Sequence, residues 1–410
     1  MQALARAFRF YIGSFSGFRR EVWILAAVTF VNRAGTMVVP FLSLYLTHSM
    51  GFTLPQVGWV MSCFGLGSVV GSWLGGKLSD RIGFYEVMVG ALLTSGTAFI
   101  GLQFVRGFWP FCASVFVLML LSDGFRPALF VAIRGYSKPE NRTRAVTLLR
   151  LAINLGFSLG PAIGGLIITH VSYEGLFWVD GISCFAAAGL MLVALVPKRS
   201  TAEEKAQAAL AKGSPYRDRP YLFLLFSSIL ITIPFLQYFS TVPVFYSEVH
   251  RLSEFSIGLL LGANGLLIFL LEMPLIKYCE IKGFSRFSVL RFSVLLFALS
   301  FVVLNLFPVH AFLWVGIVLM TLGEMLNFPF MNRLALDRSD RGQPGAYMAL
   351  FTISWSVAHI FGHTLGLNLI AHFGFTITWW CFTCMLAIGA GMLYLVERNM
   401  AREHAGTQKA

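Results

Sequence analysis

The chain is built from about twelve apolar runs of roughly 20 residues, separated by short polar breaks. A helix of ~20 residues crosses a bilayer core about 30 Å thick. Lipid offers no partner for a free backbone N–H or C=O, so every such run must be helical. The runs fall at 22–46, 55–76, 84–105, 110–133, 144–169, 174–196, 220–246, 255–276, 287–307, 310–332, 345–370 and 374–396. Charged residues make up 12% of the chain and hydrophobic residues 57%. A soluble domain of this length carries about twice that share of charge. The expected fold class is an all-α membrane protein with 12 transmembrane helices.

The net charge of +12 does not point to nucleic acid, because of where it lies. With both termini cytoplasmic, nearly all of the 31 Lys and Arg fall in cytoplasmic segments. The exceptions are Arg106 and Arg251 outside, and Arg33, Arg126, Arg150 and Arg291 within spans. This is the positive-inside bias, and it sets the orientation. The basic balance then reports topology and contact with anionic lipid headgroups. The six cysteines are scattered, and Cys381-x-x-Cys384 stands in an apolar helix without a second pair, so free thiols are expected. The lead-in from Met1 to Arg20 mixes Phe8, Phe10, Tyr11 and Phe15 with arginines and reads as an amphipathic cytoplasmic segment rather than a cleaved signal.

One sizeable polar interruption, Pro197 to Pro220, separates six runs from six. Its Ala202 to Ala211 stretch is helix-forming and ends at Gly213-Ser214-Pro215. The organisation is therefore a six-helix bundle over 1–197, a cytoplasmic linker over 198–219 and a second six-helix bundle over 220–410. The halves repeat one another. Gly75-Gly76-Lys77-Leu78-Ser79-Asp80-Arg81-Ile82-Gly83-Phe84 returns in altered form as Ile276-Lys277-Tyr278-Cys279-Glu280-Ile281-Lys282-Gly283-Phe284. Asp123 in the fourth span corresponds to Glu324 in the tenth, and Gly160 and Gly164 correspond to Gly362 and Gly366. Internal repeats of this kind are a ground plan of secondary transporters.

Gly76-x-x-x-Asp80-Arg81-x-Gly83 resembles the loop 2–3 signature of the major facilitator superfamily, departing from it where Phe84 and Tyr85 replace a basic pair. Gly156-Phe157-Ser158-Leu159-Gly160-Pro161-Ala162-Ile163-Gly164-Gly165 resembles the fifth-helix signature of that family's drug and proton antiporters, although Thr147 stands where a further glycine is usual. Leu322-Gly323-Glu324 through Pro329, and Asn32-Arg33-Ala34-Gly35 with Pro40, resemble its twelve-helix drug-exporter branch. An arginine often found four residues before the fourth-helix glycine is absent, Leu120 holding that place ahead of Gly124. The resemblance implies two pseudo-symmetric bundles, a midplane site at the repeat interface and alternating access. It also implies that Gly76, Asp80, Arg81 and Gly83 form a conformational latch; a plain topogenic turn is the alternative.

The remaining candidates come from the residues. Asp80 can cap the start of the third helix, and Arg81 can pair with an acid or with helix-end carbonyls. An ionisable side chain within a span costs several kcal/mol against lipid, so Arg33, Asp123, Arg126 and Glu324 should face a cavity or a partner. Asp123 and Arg126, at i and i+3, are placed to pair with each other. Glu324 has no basic neighbour on its own helix, so it can exchange a proton or bond to another helix. Glu272 is expected to pair with Lys277, Arg291 or a loop residue, and Asp180 to be solvated near the outer surface. His359 and His363 stand at i and i+4 without acid or thiol partners on that helix, so packing or a pore-facing role outranks metal binding. Trp355, Asn154, Gln237, Tyr238 and Tyr45 are cavity candidates offering stacking faces and hydrogen bonds. Gly156, Gly160, Pro161 and Gly164 form a packing hinge, with Asn264, Gly262 and Gly265 of the eighth span as expected partners.

The reading is a secondary transporter of the cytoplasmic (inner) membrane, working by alternating access and exporting small amphipathic solutes or drugs in exchange for protons. No cofactor is expected beyond the proton gradient. Partners are the small-molecule substrate and membrane lipid, with no nucleic acid, and the carrier is expected to be a monomer. No GxxxxGK[ST] occurs, which argues against a primary pump, and the short basic loops argue against an enzyme. Proton-driven uptake of a peptide, sugar or organic acid is the alternative within the fold. A transport-inactive receptor or a lipid scramblase is the alternative outside it.

Overall fold

The computed structural model describes residues 9–198, 213–252, 254–306 and 309–407. The proposed helix over 202–211 and most of the linker lie outside the described residues. The described chain is helical almost throughout. Its helices are α1 (Arg20–Ala34), α2 (Val38–Leu44), α3 (Leu54–Arg81), α4 (Phe84–Leu102), α5 (Phe108–Ser122), α6 (Phe125–Tyr136), α7 (Arg142–His170) and α8 (Glu174–Ala194). They continue with α9 (Arg219–Gln237), α10 (Thr241–Glu248), α11 (Glu254–Lys282), α12 (Arg286–Leu306), α13 (His310–Arg338) and α14 (Pro344–Thr407). Gly374 breaks α14 with a φ of 73°.

Among the described residues, eight helices are long and apolar enough to cross a membrane. α3 and α7 match them in length, at 28 and 29 residues, but are diluted by glycine, serine and polar ends. The first span is not one helix. Its α1 ends at Gly35, α2 restarts at Val38, and a π-helical turn follows over Tyr45–Ser49. The first span of the second half is broken in the same way, between Gln237 and Thr241. The fourth span is stepped at Asp123 and Gly124, between α5 and α6. Breaks inside apolar segments are tolerated only where protein satisfies the freed backbone groups.

The described residues divide into two compact units. One holds Gly17–Lys212 with Ser339–Ile353, and the other holds Met1–Ser16, Gly213–Arg338 and Ser354–Ala410. They are called here the amino unit and the carboxy unit. In the amino unit a core of Leu42, Tyr45, Leu46, Val60, Phe111, Val115, Leu176 and Phe177 is sealed from solvent. Glycines set how closely its helices approach. A Cβ placed on Gly67, Gly71 or Gly75 of α3 would lie within 2.6 Å of the backbone of Phe116, Leu120 or Gly124. Small residues every four positions permit that backbone-to-backbone packing.

Candidate functional site

The amino unit concentrates charge where its helices are irregular. Arg33 closes α1 just before the break, is half-buried, and interacts electrostatically with both Asp123 and Arg126. Asp123 does not pair with Arg126. The helix is interrupted at Asp123 and Gly124, between α5 and α6, and the Asp123 carboxylate accepts a hydrogen bond from the Ser68 hydroxyl instead. Two cations and one anion thus share this region. Asn154 stands half-buried on α7, two residues before Gly156.

The glycines of α7 meet the first span. A Cβ on Gly156 would lie 2.6 Å from the Arg33 Cβ, one on Gly160 would lie 3.3 Å from the carbonyls of Ala34 and Thr36, and one on Gly164 would lie 2.9 Å from the Phe41 ring. Gly262 and Gly265, the expected partners, have open space at that position. Pro161 lies within α7, and its side chain is outside the described residues, as is that of His363.

Asp180 is also placed differently from the expectation. It is 1% exposed, not solvated. Its Oδ1 accepts the Met37 N–H at 2.8 Å and its Oδ2 accepts the Val38 N–H at 3.0 Å. The acid caps the restart of the first span, a role the sequence hides because cap and helix are more than 140 residues apart.

The loop between α3 and α4 makes a further cap. Asp80 Oδ1 accepts the Gly345 N–H at 2.7 Å and Oδ2 accepts the Ala346 N–H at 2.9 Å, both at the start of α14. It does not cap α4, as the sequence suggested. Gly76 makes the approach possible, since a Cβ there would sit 2.4 Å from the Gly345 carbonyl oxygen. Gly83 has a φ of 111°, a conformation that favours glycine. Arg81 is exposed and bonds to none of the described residues, and the ion pair beside this loop joins Arg134 to Asp340. Burial pushes the Asp80 carboxyl up from 3.8 to about 6, against the opposing pull of the two N–H donors and of Arg134.

The carboxy unit supplies a buried acid and an aromatic wall. Glu324 on α13 is 6% exposed, and its Oε2 accepts a hydrogen bond from Asn264 Nδ2 of α11 at 3.0 Å. The same amide donates to Thr321 Oγ1 at 3.0 Å. One turn after Glu324, Phe328 packs against Trp355 and Phe235, each with ring centroids 4.7 Å away. Trp355 is half-buried, and His359, one turn on, is exposed. Gln237 is fully buried at the seventh-span break. Its Nε2 donates to the carbonyls of Ile233 and Gly362 at 2.9 and 3.0 Å, and its Oε1 accepts from Thr241 Oγ1 at 3.1 Å. Tyr238 is likewise buried, against Phe301. Arg291 pairs with Glu397, so it is not the partner expected for Glu272, and Lys277 lies against the Phe10 ring and carbonyl.

Comparison with known proteins adds the lineage. The chain is 26% identical to a Na(+), Li(+), K(+)/H(+) antiporter of Planococcus maritimus over 89% of this chain and 92% of the relative. It is 23% identical to multidrug resistance protein 1 of Bacillus subtilis (strain 168) over 82% of this chain and 86% of that protein. The crystal structure of the human organic anion transporter MFSD10 (TETRAN) matches its fold with a TM-score of 0.73 at 16% identity, covering 92% of this chain and 99% of that one. The Major Facilitator Superfamily profile matches residues 22–363. Apolar helices, broken first spans and this match agree: the chain is an integral multi-pass membrane protein and belongs to the Major Facilitator Superfamily of transporters.

Proposed function

We propose that the protein is a proton-coupled exporter of small amphipathic solutes, working by alternating access in the cytoplasmic membrane with both termini cytoplasmic. The observation that carries this reading is the buried Glu324 carboxyl, held by the neutral Asn264 amide one turn from the Phe328–Trp355 wall. A neutral amide donor serves either protonation state of an acid. Within the carboxy unit the aromatic wall offers stacking to an apolar body, and within the amino unit Arg33 and Arg126 offer positive charge. The names of two relatives, one for cation/proton antiport and one for multidrug resistance, support antiport and export.

The test uses purified protein in liposomes with an imposed pH gradient and a panel of fluorescent amphipathic dyes. Gradient-driven dye flux is expected in the unaltered protein. Glu324→Gln keeps the hydrogen-bonding shape and should abolish uphill flux while leaving downhill exchange. Uphill flux with unchanged pH dependence in that variant rules out Glu324 as the coupling group.

A further inference from the structure

One buried acid has no part in that scheme. Asp180 lies on α8, facing the break in the first span, and its two oxygens hold the N–H groups of Met37 and Val38. Among the described residues no cation pairs with it. Its surroundings are tightly closed. A Cβ on Gly181 would lie 2.9 Å from the Gly96 carbonyl of α4, and one on Gly35 would lie 1.8 Å from Ser183 Oγ.

The ionisable groups around it are few. On its own helix are Cys184, one turn on, and Glu174 at the start. From the first span come Arg33, whose field reaches Cys184, and Tyr45, whose ring packs on Phe177 with centroids 5.1 Å apart. The ionisable residues of α4, Tyr85 and Glu86, stand at its first turn, and α7 carries Arg142, Arg144 and Arg150 near its start and His170 at its end. The influences that act on the Asp180 carboxyl are its burial and the two backbone donors.

We propose that Asp180 is a second proton-binding site of this carrier and that its protonation loosens the break in the first span. A carboxylate closed off from water with no counter-cation is costly to keep ionised inside a membrane protein. The ionised group accepts both N–H bonds. Protonation places an O–H on one oxygen, the proton coming from the aqueous phase with no other bond changed. The hydroxyl oxygen is a weaker acceptor than the carboxylate oxygen it replaces, so one of the two bonds from Met37 and Val38 weakens. The break adjoins Arg33, the charged residue that ends α1, and the carbonyls of Ala34 and Thr36 that pack on Gly160. A proton on Asp180 would thus reset the segment that carries Arg33. Half-helix ends inside a membrane are where carriers commonly handle ions. The inference rests on the proton-coupled reading for its link to transport, but not for the protonation itself.

Infrared difference spectroscopy of the lipid-reconstituted protein across a pH titration tests it. The expected result is a protonated-carboxyl band that titrates with pH and vanishes in Asp180→Asn. Asp180→Glu should move the band rather than remove it, which covers the case of an Asn variant that does not fold. In liposomes, Asp180→Asn should flatten the pH dependence of flux, and Asp180→Glu should retain it. Absence of any Asp180-dependent band that titrates overturns the proposal. A band that titrates in a protein whose flux ignores the pH gradient upholds the proton site and overturns the coupled-export reading instead.

Discussion

Asp80 and Gly345 stand 265 positions apart in sequence, yet the carboxylate of one caps the first turn of the helix that begins with the other. Asp80→Asn leaves one acceptor and no charge. The loss of one of the two acceptors leaves one backbone N–H without its bond and is worth about 1–2 kcal/mol, which is roughly a tenfold change in an equilibrium. Glu280 occupies the matching loop of the second half, without the arginine or the first glycine of the pattern. Asp80→Asn should therefore impair transport more than Glu280→Gln when both are measured in liposomes at equal protein load. Equal effects would count against a latch at Asp80.

The same contact should respond to pH. Burial lifts the Asp80 carboxyl from 3.8 to about 6 in the capped state. The group therefore holds its proton more tightly inside the contact than when released, and protonation favours the contact. Its stability should be greatest below about pH 4, fall as pH climbs to about 6 and be level above that. Hydrogen-exchange protection at Gly345 and Ala346, corrected for intrinsic rates, would show this slope, and Asp80→Asn should remove it.

Close approach predicts a sharp contrast among glycines. A Cβ on Gly345 would lie 2.1 Å from the Gly76 carbonyl oxygen, whereas one on Gly262 meets open space. Gly345→Ala should cost about 1–3 kcal/mol through overpacking. Gly262→Ala should be neutral or slightly stabilising, since alanine is the better helix former. Thermal unfolding in detergent separates the two.

Asn264 and Glu324 should be energetically coupled. Asn264→Leu strips a buried carboxyl of a donor and should cost about 1–3 kcal/mol. Once Glu324→Leu is present, the same change should cost much less. A double-mutant cycle on unfolding midpoints reads the difference, and additive effects would mean that the hydrogen bond contributes nothing.

Arg338 at the end of α13 forms ion pairs with Asp218 at 2.6 Å and Glu403 at 2.7 Å, and its side chain is almost fully covered. Arg338→Met leaves acids without their cation and should cost about 3–5 kcal/mol. Lysine should rescue little, because a point charge cannot reproduce the paired N–H bonds to Asp218. Circular dichroism melts of the two variants would check both statements.

Much of this was legible beforehand. The apolar runs announced membrane helices, and Gly76 with Asp80 announced a special loop, because length and glycine placement are local properties. The partners were not legible. Asp180 and Met37 are brought together only by the packing of the first and sixth spans, and the pairing of Asn264 with Glu324 joins the eighth and tenth. The i, i+3 spacing of Asp123 and Arg126 suggested a pair only on the assumption of an unbroken helix, and the step at Gly124 removes that assumption. The Gly67, Gly71 and Gly75 series is readable from its four-residue period, but the backbone it meets is not.

That glycine series also provides a ruler. α3 is seated backbone to backbone on α5 at Phe116 and Leu120 and on Gly124 just past its end, three close approaches at successive turns. The two helices form a closely packed baseline inside the amino unit. Spin labels on the outward faces of α3 and α5 should give one narrow distance under every condition, and any other pair of labels in the amino unit can be calibrated against it.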